Sequence, residues 1–559
     1  MQKLRYRVKP QICPLRCTLW WDAICKEMRN VQPAFEKWEK KEGDLPPAYQ
    51  KIKCHFIFDI KMGENFRRKA RLVANGNETE TPASLTYSSV VSRDSVRIAL
   101  LLASLNELEV LACDIQNAYL TADCREKIYI IAGPEFGSEE GCIMVIRKAL
   151  YGLKSSGAAF RAHLAETLYD LSYLPSKADP DVWIRPALKE NGFEYYEMTL
   201  VYVDDIMCIS HDPKATMMGI QATFKLKDDK IEKPENYLGA QIMQKVIDGR
   251  ECWAMTSEQY VKAAIANVEA TLNERGQRLP SKATTPMQAN YRPELDTSAE
   301  LKLEGMRYYQ ELIGALRWAI ELGRIDIAME VSMLSTHLAS PREGHLQQVY
   351  HVFAFLKNKP KRTIAFDSQH PDIDESRFIK CDWHDFYRGA KEPIPGDAPE
   401  PRGNVVSTHC FVDADHAGNR VTRRSQSGIL LFVNRAPVLW YSKRQNTVET
   451  STFGSEFVAM RIAVELTEAL RYKLRMFGVP IEGPTNVFCD NEAVTKNAIF
   501  PESTLKKKHN AIAYHRTREA VAAGTIRVTK EDGKTNLADV LTKPLPQATK
   551  DFLCDRFMY

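Results

Sequence analysis

The chain has 559 residues, 44% hydrophobic and 26% charged, an ordinary globular composition with room for about three or four domains. A net charge of +4 excludes a global basic field, so any grip on nucleic acid must come from local clusters. No apolar run approaches a membrane span, and Pro10 and Pro14 interrupt the stretch after the basic residues Lys3, Arg5, Arg7 and Lys9, which argues against a membrane role and a signal peptide. Residues 1–50 read as a lead-in, helical from Trp20-Trp21 through Trp38. Cys13 and Cys17 form one C-x-x-x-C, but no Cys/His set has zinc-knuckle spacing, so the 13 cysteines read as reduced thiols of an intracellular protein.

From Lys51 to Val73 strands alternate with basic residues. Ser92 to Leu108 predicts a helix with Val96, Ala99, Leu100 and Ala103 on one face. A strand ends at Asp114, another covers Ile128 to Ile131, and a helix follows ALYGLKSSGAAF (149–160) to about Leu171. The run LVYVDDIMCI, Leu200 to Ile209, reads as an apolar hairpin, and Tyr237 to Ile242 as one short strand. Tyr308 to Leu356 is helical with a break near Pro341; its stripe of Leu312, Leu316, Ile320, Ile327, Val331, Leu334 and Leu338 reads as helix-helix core. Residues 388–404 are rich in Pro, Gly and charge, which is linker composition. Beyond them come strands at Thr408–Asp413, Gly428–Val433 and Val438–Ser442, a helix at Ser455–Phe477, a strand at Asn486–Asp490, a helix over 504–522, a strand at Thr525–Thr529 and a last helix from Asn536. Basic runs at Arg67 to Arg71, Lys357 to Arg362, Arg423-Arg424 and Lys506 to His509 serve either as solvated faces or as phosphate contacts.

Carboxylates punctuate this pattern. Asp204 and Asp205 are adjacent inside an apolar hairpin, where like charges repel and lose hydration. A divalent cation offsets both costs, and Mg²⁺ takes carboxylate oxygens together with substrate phosphates. A bare Asp-Asp also suits a turn, and Asp114 alone suits a helix N-cap. In the C-terminal part Asp413, Glu456, Asp490 and Asp539 fall on strand, helix, strand and helix. Singly each fits the bias of acids for helix starts and strand ends. The ordered set is far more specific.

Tyr202 to Asp205 resembles the YxDD box of reverse transcriptases, and Asp114-Ile-Gln-Asn-Ala-Tyr119 resembles their first catalytic motif. The set Asp413, Glu456, Asp490 and Asp539 resembles the RNase H fold, whose four carboxylates hold two ions across the scissile phosphate. The wording of Lys69–Gly76 (KARLVANG), Leu150–Lys154 (LYGLK), Tyr237-Leu-Gly239, Ser442–Gln445, Cys489-Asp-Asn491, Lys508-His509 with Tyr514-His515 and Arg518-Glu519, and Ala538–Lys543 resembles copia-type retrotransposon Pol over about residues 20 to 550. Two departures stand out: SGAAF (156–160) where the family has SPRAW, and DADHAG (413–418) where it has DSDWAG, with Ala414 for Ser and His416 for Trp.

The resemblance implies an α/β and α+β multidomain chain: a right-hand polymerase with fingers and palm (51–290) and a helical thumb or connection (291–387), a linker (388–404), and an RNase H-like domain (405–548). It implies an RNA-directed DNA polymerase with ribonuclease H activity. Asp114, Asp204 and Asp205 would hold metal in one site, and Asp413, Glu456, Asp490 and Asp539 in the other, with two Mg²⁺ per site and Mn²⁺ as the alternative ion. Lys69 or Arg71 would contact the triphosphate, Tyr119 would gate the ribose 2′-OH, and Gly152 and Lys154 would face nucleotide or template. Partners would be an RNA template, a DNA primer, the RNA–DNA hybrid, deoxynucleoside triphosphates and other Pol or Gag products. The setting would be cytoplasmic virus-like particles with access to the nucleus. The alternative is a decayed or co-opted copy that binds nucleic acid without catalysis. His509 and His515 read as structural, since cellular RNases H carry a loop His before the last Asp and Thr529 to Asn536 has none.

Overall fold

The computed structural model describes residues 18–39, 45–61, 67–80, 86–288, 290–506 and 508–559; the Cys13/Cys17 pair, the stretch from Lys3 to Lys9 and Lys507 lie outside these. Among the described residues no helix is long and apolar enough to cross a membrane.

The first layer opens with α1 (Thr18–Val31), β1 (Phe35–Lys37) and β2 (Gln50–Lys51). The expected helix to Trp38 stops at Val31, because Pro33 enters the next turn without an N–H to continue it. β3 (Cys54–Lys61) and β4 (Arg67–Ala74) form an antiparallel ribbon. α2 (Arg93–Leu105) leads into β5 (Glu109–Asp114), and β6 (Ile128–Ile131) and β7 (Ile143–Ile146) complete a sheet of order β1-β7-β6-β2.

The second sheet carries the YVDD hairpin. After α3 (Ser156–Asp170) come β8 (Leu174–Pro175), β9 (Val182–Leu188), β10 (Glu194–Tyr202) and β11 (Asp205–Ser210), in the order β5-β11-β10-β9-β8, then α4 (Pro213–Thr223). Central strands of this kind, rich in Val, Ile and Tyr, bury both faces; Leu200, Ile206, Met207, Cys208 and Ile209 are fully buried.

The third unit holds β12 (Asn236–Tyr237), β13 (Ala240–Ile247), β14 (Arg250–Thr256), α5 (Glu258–Glu274), α6 (Leu303–Glu321), α7 (Ala328–Ser335), α8 (Glu343–Asn358) and β15 (Thr363–Ala365). The expected single strand at 237–242 is instead two strands joined by Leu238-Gly239, both at positive φ, as a tight hairpin requires. The helical stretch breaks a second time before α7, where Gly323 sits at φ 110°.

The C-terminal unit has β16 (Thr408–Asp415), β17 (Gln426–Val433), β18 (Ala436–Arg444), α9 (Thr452–Met476), β19 (Thr485–Cys489), α10 (Glu492–Ile499), α11 (Ala511–Ala522), β20 (Ile526–Lys530) and α12 (Gln547–Cys554). Its sheet runs β18-β17-β16-β19-β20, with β16–β19 and β19–β20 parallel and the other pairs antiparallel. The expected last helix from Asn536 is a 3₁₀ turn, Leu537–Leu541, capped by the Asn536 side chain. α10 is an element beyond those expected; Asn491 caps it by accepting from the Ala493 and Val494 amides.

These units share one core. A single cluster joins Val96 and Leu100 of α2, Leu200 of β10 and Ile364 of β15 to Val412, Val438 and Phe457 of the C-terminal unit. α2 is therefore buried from Ser95 to Ala103 on every side rather than on one face. At its centre Arg97, 4% exposed, donates from Nη1 to the Val438 carbonyl at 3.0 Å and from Nη2 to the Glu321 carbonyl at 2.6 Å. Its guanidinium lies 3.8 Å from the Trp440 ring centroid, a fit that only a planar, multiply donating cation makes. Residues 388–404 hold no regular element, yet Glu392 accepts from Arg471 and Arg475, and the Arg402 amide donates to the Gly478 carbonyl. The chain end returns to the third unit: Tyr559 and Thr363 exchange two backbone hydrogen bonds of 2.8 Å, and Lys550 pairs with Glu330 in a buried contact.

Two candidate carboxylate centres

In the first centre the hairpin β10–β11 pairs Tyr202 with Asp205, leaving Val203-Asp204 as the turn. Val203 has φ 57°, an unfavourable value for a β-branched residue, held here by the register of both strands. Asp205 stands opposite Asp114, the last residue of β5. Directly opposed antiparallel residues have Cα atoms about 4.5–5.5 Å apart. The Ile115 amide donates to the Asp204 carbonyl at 2.8 Å, so the end of β5 is tied to the turn. Burial, and then the Asp114 charge, push the Asp204 carboxyl above its ordinary range; Arg71 and Lys69 pull it back. Asp114 Oδ2 accepts from Lys227 Nζ at 3.1 Å.

β4 presents Arg71 and Lys69 to this hairpin. The Arg71 guanidinium lies 4.0 Å from the Tyr151 ring centroid, and Tyr151 lies 4.8 Å from Tyr119. Tyr119 also meets Phe160 edge-on, which gives the departure at 156–160 a packing role. The motifs KARLVANG and LYGLK lock together through their backbones. The Ala74 amide donates to the Tyr151 carbonyl at 2.8 Å. Gly152, at φ 96°, leaves no room for a Cβ, which would lie 2.1 Å from the Ala74 oxygen. Lys154 Nζ donates to the Thr79 carbonyl at 2.6 Å. In this arrangement Gly152 and Lys154 fasten the strands that present Arg71 and Lys69.

The second centre lies across the C-terminal sheet. Asp413 does not end its strand, which runs on to Asp415; it pairs with Gly428 of β17. A Cβ on Gly428 would lie 2.6 Å from Thr542 Cγ2 and 2.8 Å from the Ala538 oxygen, so glycine there lets the 3₁₀ turn bring Asp539 to Asp413. Asp413, Asp490 and Asp539 each place an oxygen within 4.8 Å of the others, and Glu456, Cys489 and Asp490 form an overlapping set. Asp413 is 1% exposed; it accepts from Thr542 Oγ1 and, at 3.2 Å, from Lys543 Nζ, which also donates to Asp539 at 2.9 Å. Crowded carboxylates raise one another. Burial, then Asp413, push Asp539 up to about 7; Asp490 rises for the same two causes, and Glu456 rises well above its ordinary range through burial, Asp413 and Asp490. Glu456 Oε2 is buried without a hydrogen-bond partner among the described residues.

Sequence reasoning alone misses Lys227, Thr542 and Lys543. Lys543 carries a legible signal, four residues after Asp539 on one turn. His416 stands out in sequence only as a departure from the family; its Nδ1 lies 3.4 Å from Ser455 Oγ, beside Glu456. His509 lies by Glu449, and His515 pairs with the Tyr387 hydroxyl at 2.7 Å.

Residues 39–282 match the family described as reverse transcriptase (RNA-dependent DNA polymerase). The retrovirus-related Pol polyprotein from transposon RE1 of Arabidopsis thaliana is 27% identical over 537 residues, covering 94% of this chain and 33% of that relative. The corresponding protein from transposon TNT 1-94 of Nicotiana tabacum is 26% identical over 541 residues, 93% of this chain and 37% of its own length. The Ty1-NL2 Gag-Pol polyprotein of Saccharomyces cerevisiae is 23% identical over 98% of this chain and 30% of its own. The chain thus spans about a third of the length of these relatives. The RNase H1 of Halobacterium salinarum NRC-1 aligns with 25% of this chain and 95% of its own, at 19% identity and a TM-score of 0.19, too low to bear on the assignment. The chain is thus similar along nearly its whole length to the Pol polyproteins of these transposons, and residues 39–282 match a reverse transcriptase domain.

Proposed function

We propose that this chain copies RNA into DNA at the first centre and cleaves the RNA of the resulting hybrid at the second. The observation that supports this most is the duplication: one chain twice brings acids from distant segments together, Asp114 opposite Asp205 and beside Asp204 in one place, and Asp413, Asp490 and Asp539 with Glu456 in the other. Such clusters fit divalent cations. Glu456 Oε2 lacks a donor, and in the second centre a lysine ammonium already sits between two of the acids. Asp114, Asp204 and Asp205 would hold ions in one centre, and Asp413, Glu456, Asp490 and Asp539 in the other. Bound Mg²⁺ supplies Lewis acidity at phosphoryl oxygens and activates the attacking oxygen. Arg71 and Lys69 would meet the triphosphate, and the Tyr151 ring fixes the Arg71 plane. Substrates would be an RNA template, a DNA primer, deoxynucleoside triphosphates and the hybrid, held mostly through phosphates and therefore salt-sensitively. The deciding test is primer extension on RNA, with hybrid cleavage measured in parallel, using purified chain and Mg²⁺. Absence of both from a folded preparation would reject the reading.

Two expected results arise from particular groups. The Tyr119 ring is held against Tyr151 close to Asp204, in position to meet the sugar of an incoming nucleotide. Tyr119→Ala should raise ribonucleotide use relative to deoxyribonucleotide use in competition assays; unchanged sugar selectivity with intact extension would remove the gate. The second result concerns pH. A carboxyl with a raised folded pKa holds an extra proton in the folded state, so stability falls as pH rises across the window between its two values. For Asp539 the window runs from the ordinary 3.8 to about 7. Without divalent ions, Tm should therefore fall from about pH 4 to about pH 7 in wild type and less in Asp539→Asn. Added Mg²⁺ should raise Tm more above this window than within it, because ions and protons compete for the same oxygens. A wild-type slope equal to that of Asp539→Asn would contradict the coupling.

A further inference from the structure

One of the two ligand sets in the second centre contains a sulfur. Cys489 is the last residue of β19, and Asp490 follows it into the centre. Cys489 Sγ, a Glu456 oxygen and an Asp490 oxygen all lie within 4.8 Å of one another. Cys489 is fully buried and Glu456 is 6% exposed. Glu456 Oε2 has no hydrogen-bond partner among the described residues, and a buried acceptor without a donor is costly unless a cation meets it.

The two sets differ in donor chemistry. Asp413, Asp490 and Asp539 offer oxygen alone, which suits Mg²⁺. Glu456, Cys489 and Asp490 offer two oxygens and a thiol. Thiolate favours zinc-like ions, and three protein ligands leave one position open. Ligand atoms around tetrahedral zinc stand about 3.3–3.8 Å apart, given Zn–ligand distances of about 2.0–2.3 Å. A small inward movement of the three side chains reaches that spacing. Asp490 is only part-buried, so an ion can arrive from its side.

We propose that Glu456, Cys489 and Asp490 form a binding site for a thiophilic divalent cation, zinc or cadmium, whose occupancy blocks hybrid cleavage. The inhibitory half rests on the nuclease function proposed for this centre, because Asp490 belongs to both sets and Glu456 is one of the four acids proposed to hold Mg²⁺ there, so neither can serve both ions at once. Binding forms a metal–sulfur bond, and the Cys489 proton leaves to solvent. No electron is transferred.

The site is tested on the full chain without nucleic acid. Metal-free protein is titrated with Cd²⁺ alone, reading the ultraviolet charge-transfer absorption of cadmium thiolate. The chain has 13 cysteines, so the informative quantity is the difference between wild type and Cys489→Ser. Wild type should bind one equivalent that Cys489→Ser lacks, and Glu456→Gln should bind it about tenfold or more weakly. Cys489→Val, which keeps an apolar side chain of similar size, replaces the serine variant if circular dichroism shows that one unfolded. In parallel, Mg²⁺-supported hybrid cleavage is titrated with Zn²⁺, each protein against its own zinc-free rate. The half-inhibiting zinc concentration should rise about tenfold or more in the Cys489 variant. Equal cadmium absorption in wild type and both Cys489 variants overturns the site. Lost absorption with unchanged zinc inhibition overturns the inhibitory role. If no cleavage occurs even without zinc while the absorption difference is present, the cation site stands and the nuclease reading falls.

Discussion

Asp204→Asn should lower primer extension on an RNA template by about a thousandfold, while hybrid cleavage stays close to wild type. The magnitude comes from one metal-holding charge: losing about 4 kcal/mol of transition-state stabilisation is about 10³ in rate. The protein should not become less stable. Asp204 is part-buried, and its carboxyl is raised first by that burial and then by the charge of Asp114, so an amide relieves desolvation and repulsion. A thousandfold loss with unchanged or raised Tm would mark a site residue rather than a damaged fold. Extension within tenfold of wild type would take Asp204 out of the metal set.

Asp490→Asn should have the opposite profile. Asp490 is the one residue common to both ligand sets of the second centre. Removing its charge should abolish cleavage of the RNA strand and leave extension intact, because the extension carboxylates lie on β5 and at the β10–β11 turn. Persistent cleavage would mean that the four-acid assignment is wrong. Loss of both activities in a folded protein would mean that the two centres are chemically coupled.

How much of the molecule is legible in its sequence depends on how local the cause is. The YVDD hairpin is legible because two charges interrupt a run of Val, Ile and Tyr, and that contradiction has few solutions. Asp539 is legible through its neighbours, since Asn536 caps the turn that carries it. α10 escapes because eight residues give too little periodicity to weigh against loop. Lys227 escapes because nothing near it in sequence requires a carboxylate; its partner Asp114 is 113 residues away. Resemblance assigns Gly152 and Lys154 to substrate, whereas the contacts they make are to Ala74 and Thr79. The composition of 388–404 shows its lack of regular structure but not its anchoring, because the partners of Glu392 are on α9.

Arg97 has a genetic consequence. Its carbonyl partner Val438 and its stacking partner Trp440 both lie beyond residue 404. A premature stop in the last third of the reading frame would therefore take one of two carbonyl acceptors and the stacking ring from a buried cation and strip a shared core from α2. Such a truncated product, ending at 404, should be recovered insoluble and without primer extension, although the YVDD hairpin is intact. Point changes in the nuclease acids can separate the two activities; shortening the gene cannot.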